Sequence, residues 1–304
     1  MIVGALFLHI IWLGSDIIYA SETLTELESN LVAYQRCLKM CEIPQEAPDN
    51  IDGVVNADWP SSGEIAFSNL SLRYRPDTDL VLHNLTFSIK NNEKIGVIGR
   101  TGAGKSTLCL ALCRIVEAAT GSIYIDGQDI SKVGLEQLRS KVTIIPQDPT
   151  LFTGSLRFNL DPEGIHSDSE LTQLIREAAL EKLLIRDNKG LDQQVEEGGQ
   201  NLSSGEKQLL CICRAVLKHN RVVLMDEATA NIDVKTEETI QKLILERFSK
   251  STVITIAHRL NTIMHSDKVL VLDKGKVAEY DTSDALLDRP DSIFKSYVES
   301  FKNN

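Results

Sequence analysis

The sequence predicts an α/β protein preceded by a long N-terminal helix, and three patterns support this prediction. From about residue 64 onward, short apolar strands alternate with amphipathic helices. A glycine-rich loop joins one of these strands to the helix that follows it. The first 20 residues are largely apolar and lead into a helical pattern. Because strands separated by helices favour parallel pairing, we expect an α/β sheet at the centre of the fold.

The composition is that of an ordinary globular protein with an acidic balance. The chain has 304 residues, of which 42% are hydrophobic and 25% charged, so it is large enough to bury a sizeable core. Its formal net charge is −11. Proteins that bind the phosphates of DNA or RNA usually carry positive charge. We therefore expect no nucleic-acid partner.

The N-terminal segment has the character of a membrane helix. Residues 1–20 are close to the roughly 20 predominantly apolar residues that cross a bilayer. A cleaved signal peptide is the alternative, but its basic segment is missing, since the first Lys or Arg of the chain is Arg36. Side chains spaced by three and four residues then form one apolar face of a helix: Leu24, Leu27, Leu31, Tyr34 and Leu38. We expect residues 1–42 to be the end of a transmembrane helix that continues as a cytoplasmic stalk.

A linker is expected between this helix and the main domain. Residues 43–62 contain Pro44, Pro48 and Pro60 among acidic and small residues and show no periodicity. Prolines at this density prevent a continuing helix and favour an extended tether. The main domain is therefore expected to span residues 63–304.

The hydrophobic periodicities of the main domain predict its strands and helices. Two alternating strands are expected to pair antiparallel: Glu64–Tyr74 and Leu82–Ile89. Three short apolar strands are expected within the sheet: Lys94–Ile98, Val222–Met225 and Thr252–Ala257. Four helices are expected: Lys105–Val116, Glu170–Ala179, Gly205–Lys218 and Lys235–Phe248.

A phosphate-binding loop of the pattern GxxxxGK[ST] lies between a predicted strand and a predicted helix. Its residues are Gly99, Arg100, Thr101, Gly102, Ala103, Gly104, Lys105, Ser106 and Thr107. The glycines allow backbone N–H groups to surround the β-phosphate of a nucleotide, and the helix N-terminus adds positive potential. The motif places Lys105 at the β- and γ-phosphates and offers the Ser106 hydroxyl to Mg²⁺. The sequence therefore predicts a nucleotide site.

A second apolar strand ends in two carboxylates, Asp226 and Glu227. Because the carboxyl ends of parallel strands meet at one edge of a sheet, this pair is expected beside the phosphate loop. Asp226 is expected to hold Mg²⁺ through water, and Glu227 to polarise the attacking water. Without the phosphate loop, the same pair would be equally consistent with a solvated turn.

A third motif distinguishes among the nucleotide-binding classes, since phosphate loops also occur in kinases, GTPases and helicases. Its residues are Leu202, Ser203, Ser204, Gly205 and Glu206, shortly before the predicted metal-binding strand. In this order and spacing, the motifs resemble the ABC ATPases, whose signature is usually written LSGGQ. The resemblance covers Glu64 to Phe301 and implies an ABC-type core with an antiparallel β subdomain and a helical signature subdomain.

The resemblance implies roles for four further residues. Tyr74 falls where the family stacks an aromatic ring on adenine, and Gln147 falls at the Q-loop, with a role in binding nucleotide and Mg²⁺. Asp233 falls in the D-loop, and His258 falls at the switch histidine that contacts nucleotide. Catalytic roles are thus implied for Gln147 and His258 beside Glu227. The plainer alternatives are an exposed strand aromatic for Tyr74, a loop amide for Gln147 and a helix cap for His258.

Longer stretches of the chain are similar to one subfamily. The second nucleotide-binding domain of the C subfamily, the multidrug-resistance-associated exporters, is similar to four stretches of this chain: GRTGAGKST, IIPQDPTLFTGSLRFNLDP, AHRLNTI and DKVLVLDKGKVAEYD. The helix and the APDN residues of the linker resemble the end of the last membrane helix in those proteins. This resemblance implies a domain on the cytoplasmic side of a membrane that binds and hydrolyses ATP with Mg²⁺. It also implies pairing with a second nucleotide-binding domain and coupling to transmembrane domains that export organic solutes or conjugates.

The signature departs from the family pattern at two positions. Ser204 replaces the first glycine and Glu206 replaces the glutamine. A carboxylate near a γ-phosphate would be repelled. However, Ser203 followed three residues later by Glu206 predicts a capping box, in which the Glu206 carboxylate folds back onto the Ser203 N–H. The completed site is still expected to hydrolyse poorly, as in the asymmetric pairs of sites of this subfamily.

Three other functions remain open from the sequence. A regulatory ABC domain would sense nucleotide without transport, and a soluble ABC ATPase of translation or DNA repair would share the motifs. The apolar N-terminus favours a membrane protein over the soluble ATPase. A P-loop kinase would need a phosphoacceptor site and has no reason to carry LSSGE.

The six cysteines are Cys37, Cys41, Cys109, Cys113, Cys211 and Cys213. None of them shows the paired CxxC spacing of a zinc site. We expect them to be reduced, structural thiols.

Overall fold

A computed structural model describes residues 2–56, 58–226, 234–256 and 263–302. The chain divides into two compact units, Met1–Ala47 and Pro48–Asn304. Most of the first unit is α1 (Ile2–Cys41), a helix of 40 residues. The strands and the other helices of the described ranges lie in the second unit.

Helix α1 is the one helix of the described chain that is long and apolar enough to cross a membrane. Its described side chains are exposed along the whole helix. At 1.5 Å per residue, 40 residues extend about 60 Å, roughly twice the thickness of a bilayer's hydrocarbon core. The helix is therefore long enough to contain both a membrane span and a stalk.

The second unit begins its sheets with an antiparallel pair, β1 (Ile65–Leu72) and β2 (Leu82–Ile89), as predicted. The sequence prediction missed β4 (Thr120–Ile125) and β5 (Gln128–Asp129), which extend the same sheet in the order β2-β1-β4-β5. Strand β4 begins with exposed residues and β5 has two residues, so neither produces the alternating pattern on which the prediction relied.

The central sheet comprises β3 (Lys94–Gly99), β6 (Val142–Ile145), β9 (Val222–Asp226), β10 (Thr252–Ile256), β11 (Lys268–Asp273) and β12 (Lys276–Asp281). The order of its strands is β12-β11-β3-β10-β9-β6. Strands β11, β3, β10, β9 and β6 are parallel, and β12 pairs antiparallel with β11. The parallel pairing predicted for β3, β9 and β10 is confirmed. A short pair, β7 (Gly154–Ser155) and β8 (Gln194–Val195), lies outside this sheet.

The described helices of the second unit are α2 (Lys105–Leu112), α3 (Leu135–Arg139), α4 (Leu156–Leu160), α5 (Asp168–Glu177), α6 (Glu181–Ile185), α7 (Ser204–Leu217), α8 (Val234–Arg247), α9 (Ser283–Asp288) and α10 (Ile293–Lys302). The four predicted helices correspond to α2, α5, α7 and α8. Helix α2 ends four residues before the predicted Val116. It ends because Arg114 takes a left-handed conformation (φ 50°), and the N–H of Ile115 then bonds back to Leu110 O at 2.9 Å.

Residues 48–56 and 58–62 differ from the expected extended linker, because they are hydrogen-bonded into the second unit. Trp59 Nε1 donates to the carbonyl of Ile125 at 3.1 Å. The backbone N–H of Ser62 donates to the Asp126 carboxylate at 2.9 Å. These partners lie far away in sequence, so the proline-rich composition gave no sign of them.

Two hydrophobic clusters cover opposite faces of the central sheet. Along β9, Val222 and Leu224 belong to one cluster, whereas Val223 and Met225 belong to the other, as alternation along a strand requires. Helix α2 and the antiparallel sheet pack in the first cluster, and helices α4 to α8 pack in the second. The helix after the phosphate loop and the helix after the signature therefore lie on opposite faces of the sheet.

Candidate functional site

The phosphate loop connects β3 to α2, and close contacts require glycine at two of its positions. A Cβ at Gly99 would lie 2.3 Å from Leu272 O. Gly104 has a φ of 98°, and a Cβ there would lie 2.6 Å from Leu82 Cδ2. Larger residues would therefore push the loop away from β2 and β11.

Lys105, the first residue of α2, folds over this loop. Its side chain is 7% exposed, and Nζ donates to the carbonyls of Gly99 at 2.8 Å and Arg100 at 3.3 Å. The ammonium group is thus held beside the loop backbone as a fixed positive charge. A phosphate group bound by the loop would meet this charge directly.

Tyr74 lies beside the same helix. Its hydroxyl is 2.8 Å from Thr107 Oγ1, and half of the residue's surface is exposed. The hydrogen bond fixes the position of the ring next to α2, and the exposure leaves area for contact with a flat ligand. The structure thus brings Tyr74 and the phosphate loop together.

Asp226 lies at the same edge of the sheet as the phosphate loop. Strands β3 and β9 both pair in parallel with β10, so their carboxyl ends, Gly99 and Asp226, point to one edge. The pKa of the Cys109 thiol on α2 is raised mainly by burial and secondly by the negative charge of the Asp226 carboxylate. The Asp226 carboxylate is therefore close enough to α2 to act on its side chains.

Mg²⁺ bound with phosphates keeps several waters and uses one or two protein oxygens. The Ser106 hydroxyl at the start of α2 and the Asp226 carboxylate are oxygen ligands of this type, so these residues fit the ion. Within the described ranges, no group of three or more His, Cys, Asp or Glu side chains could hold a metal by protein ligands alone.

Three of the predicted site residues lie outside the described residues: Glu227, Asp233 and His258. In sequence, Glu227 follows the last residue of β9, and His258 comes two residues after the end of β10. Their roles remain predictions.

Gln147 is exposed and follows β6, and its segment is tied to α7. Gln208, only 2% exposed, donates from Nε2 to Pro146 O at 3.2 Å. Farther along α7, Arg214 donates from Nη1 to Thr150 O at 2.6 Å. Neither anchor was predicted, although Arg214 is a charged residue within the apolar run that ends α7, a signal that could have found it.

The signature lies at the N-terminus of α7, where the predicted capping box is confirmed. Ser203 Oγ accepts a hydrogen bond from the Glu206 N–H at 3.3 Å, and Glu206 Oε2 accepts from the Ser203 N–H at 2.7 Å. Gly205 is required by the approach of α8, because a Cβ there would lie 2.9 Å from Thr236 Cγ2. The carboxylate of Glu206 is therefore held by its own helix N-terminus.

Arg186 provides a second partner for Glu206. Arg186 Nη2 lies 3.8 Å from Glu206 Oε1, and Nη1 donates to the Asn201 carbonyl at 2.9 Å. One guanidinium thus faces the Glu206 carboxylate and holds the residue before the signature. No motif includes Arg186, so this ion pair could not be predicted from the motifs.

Three comparisons place this architecture among known proteins. Residues 82–230 match the family model described as ABC transporter. The mouse protein ATP-binding cassette sub-family C member 2 is 51% identical over 263 residues, which are 86% of this chain and 17% of that protein. The ATP-binding cassette transporter abc2 of Schizosaccharomyces pombe is 43% identical over 299 residues, 98% of this chain and 20% of that protein. The chain thus spans about a fifth or less of the length of these relatives.

A solved structure, described as a bacterial Atm1-family ABC exporter with ATP bound, has the same fold. It matches with a TM-score of 0.81 and 32% identity, over 90% of this chain and 47% of that one. Residues 82–230, which match the family model, include the phosphate loop, the strand that ends at Asp226 and the signature. The chain therefore contains an ABC transporter domain and is homologous over most of its length to members of the C subfamily.

Proposed function

We propose that this chain is the second nucleotide-binding domain of a C-subfamily exporter, together with the end of its last membrane helix. The observation that carries the proposal is the phosphate loop, which Lys105 and Tyr74 contact and which lies at the same edge of the sheet as Asp226. A membrane-length helix in the same chain supports an exporter over a soluble ATPase. We propose the membrane and stalk helix at residues 1–42, the linker at residues 43–62 and the nucleotide-binding domain at residues 63–304. Most of the linker, from residue 48 onward, packs on the domain.

In the proposed reaction, the domain binds ATP with Mg²⁺ and hydrolyses it. Lys105 would bind the β- and γ-phosphates, and Ser106, Gln147 and Asp226 would hold the magnesium ion. Mg²⁺ supplies neutralisation of the phosphate charge. Glu227 acts as the general base that takes a proton from the attacking water.

His258 is proposed to contact the γ-phosphate, as the sequence resemblance implies. The loop from Gly99 to Thr107 holds the phosphates through its backbone N–H groups.

The signature is proposed to bind the ATP held by a second nucleotide-binding domain. This arrangement is supported by the positions of α2 and α7 on opposite faces of the central sheet. Two ATP molecules would then hold two domains together, and hydrolysis would separate the domains. Such a pair is a two-state switch that contacts to the γ-phosphate control. Asp233 in the D-loop is proposed to lie at the same junction.

The segment after β6 is proposed to pass this motion to transmembrane domains. Gln208 and Arg214 fix the segment to α7, so a movement of the signature helix would move the residues after Gln147 with it. We place the domain on the cytoplasmic side of a membrane, with no nucleic-acid partner.

A regulatory domain that binds nucleotide without transport is the second candidate. Glu206 favours it, because a carboxylate in the signature weakens closure on an anionic γ-phosphate. The Arg186 ion pair and the capping box oppose this effect, so the exporter remains the first proposal.

Calorimetric titration of the full chain in detergent with Mg-ATP tests nucleotide binding, and phosphate release with a partner domain tests hydrolysis. Binding with turnover supports the exporter motor. Binding without turnover, even with a competent partner, would favour the regulatory candidate. Absence of binding would contradict both.

Tyr74→Ala is expected to weaken ATP binding by about 1–3 kcal/mol, because stacking of a base on an aromatic ring contributes that amount. Tyr74→Trp keeps a stacking surface and is expected to bind ATP nearly as the wild type does. Tyr74→Phe keeps the ring and removes the bond to Thr107 Oγ1, so it separates stacking from anchoring. Calorimetry measures the three affinities, with Tyr34→Ala in α1 as the control. An unchanged affinity in Tyr74→Ala would show that Tyr74 is an ordinary surface residue.

Arg186→Met is expected to weaken ATP-dependent association with a partner domain by a factor of up to about five, as for a solvent-accessible ion pair. The variant leaves the Glu206 carboxylate without its guanidinium partner. Because the glutamine of Glu206→Gln needs no such partner, the double variant is expected to associate at least as well as the wild type. The measurement is the ATP concentration that gives half-maximal association. A double variant that associates no better than Arg186→Met would show that Arg186 does not act through Glu206.

A further inference from the structure

The six cysteines form three pairs that are close in sequence, and the pairs differ in burial. Two pairs lie in the second unit, Cys109 with Cys113 on α2 and Cys211 with Cys213 on α7. Burial raises the pKa of the Cys113 thiol to about 11 and that of Cys213 to about 12. These thiols stay protonated at neutral pH, and a protonated thiol is a poor nucleophile and a poor metal ligand.

The third pair, Cys37 and Cys41, is exposed on α1. Residues four apart lie one above the other on a helix, so the two thiols share one face. Met40 lies three residues after Cys37 and is 72% exposed. We call Cys37, Met40 and Cys41 the sulfur face of α1.

The sulfur face is separate from the apolar stripe of the same helix, which comprises Leu24, Leu27, Leu31, Tyr34 and Leu38. At about 100° per residue, the centre of the sulfur face lies roughly 100° around the helix from the centre of the stripe. Taken singly, Cys37 and Met40 lie about 100° and 160° around the helix from the centre of the stripe, and Cys41 lies about 60° from it. A neighbouring helix packed along the stripe would therefore leave Cys37 and Met40 accessible and would border Cys41.

The spacing of the two thiols suits a bridging metal ion better than a disulfide. Side chains four apart on a helix have Cβ atoms about 5–6 Å apart, whereas a disulfide requires about 3.5–4.5 Å. A metal ion with bonds of about 2.3 Å to sulfur joins two sulfur atoms up to about 4.6 Å apart. An ion can therefore be bound without distortion of α1.

The number and type of ligands determine which ion fits. Structural zinc takes four protein ligands. The described residues contain no group of three or more His, Cys, Asp or Glu that could complete such a site. Two thiolates and a thioether match a soft ion that accepts two or three sulfur ligands, and Cu(I) has this preference.

We propose that Cys37, Met40 and Cys41 form a binding site for a soft metal ion of the Cu(I) type. On binding, each of the two thiols loses a proton and forms one sulfur–copper bond, and Met40 adds its thioether without proton release. Copper stays in the Cu(I) state, so the step needs no oxidant or reductant. The site is independent of the nucleotide site and of the proposed function.

The test is an anaerobic titration of the full reduced chain in detergent with Cu(I), in competition with a chromogenic Cu(I) chelator. We expect the wild type to take one Cu(I) from the chelator, and Cys37→Ser/Cys41→Ser to lose this binding. Met40→Leu has a similar shape without the sulfur and is expected to bind more weakly than the wild type.

Cys211→Ser/Cys213→Ser is the matched control, since it also removes two thiols, and it is expected to retain the ion. Circular dichroism of each variant shows whether helix content is preserved. Equal Cu(I) uptake by the wild type and the Cys37/Cys41 variant would overturn the proposal. So would an equal loss in the Cys211/Cys213 variant with its helices intact.

Discussion

Lys105→Ala is expected to lower the affinity of the full chain for Mg-ATP by about 100-fold while the fold stays intact. Hydrogen bonds to charged groups contribute about 1.5–3 kcal/mol each, and a loss of about 3 kcal/mol corresponds to roughly 100-fold in affinity. The ammonium group lies 2.8 Å from Gly99 O, within the loop that would hold the phosphates. Calorimetric titration with Mg-ATP measures the change.

Lys94→Met is the matched control for this variant. Lys94 begins β3, at the end of the strand opposite the phosphate loop, and its Nζ also donates to backbone carbonyls, those of Asn92 and Ser251, both at 2.8 Å. Removal of this lysine is expected to leave ATP affinity unchanged. Thermal unfolding of both variants separates loss of binding from loss of fold. Near-native affinity in a folded Lys105→Ala protein would contradict the assignment of the phosphate loop.

Local patterns were sufficient to predict the parts of the fold that position the phosphate loop. Strands β3, β9 and β10 are short, apolar and buried, so their sequences differ clearly from their surroundings. The capping box at Ser203 and Glu206 was predictable for the same reason, because both partners lie within one helical turn. Features that depend on neighbours in sequence could thus be predicted.

Features that depend on distant partners could not be predicted in this way. The packing of residues 48–62 rests on bonds from Trp59 to Ile125 and from Ser62 to Asp126. The end of α2 depends on a left-handed Arg114, whose guanidinium is buried and donates to the carbonyls of the 3₁₀ turn after β5. Arginine is not a residue that predicts a helix end of this kind.

The same distinction applies to the candidate site. The motifs identified Lys105 and Asp226, because their spacing from strand ends is short and fixed. They did not identify Arg186 or Gln208, which act on the signature and on the segment after β6 across the fold. Residues that support a motif from another element can be identified only from the folded structure.

Glu227→Gln is expected to lower ATP turnover by about 10²–10⁴-fold while ATP binding persists, because a general base contributes about that much. Glutamine keeps the shape and hydrogen-bonding capacity of the side chain and removes the charge that draws a proton from water. Asp226→Asn is expected to behave differently, with weaker Mg²⁺ binding and therefore weaker nucleotide retention. Glu238→Gln on α8 changes an exposed carboxylate and is expected to retain wild-type turnover.

The Glu227→Gln variant is also expected to stay associated with a partner domain, because unhydrolysed ATP would keep the two domains together. With a competent partner and Mg-ATP, the Glu227→Gln protein is expected to accumulate as a closed pair in size-exclusion chromatography. Two identical copies are expected to close more weakly, because each would present the Glu206 carboxylate to the other's γ-phosphate. Phosphate release measured on the same samples links closure to chemistry. Hydrolysis at the wild-type rate would show that Glu227 is not the base, whereas slow hydrolysis without a closed pair would place the defect in the signature.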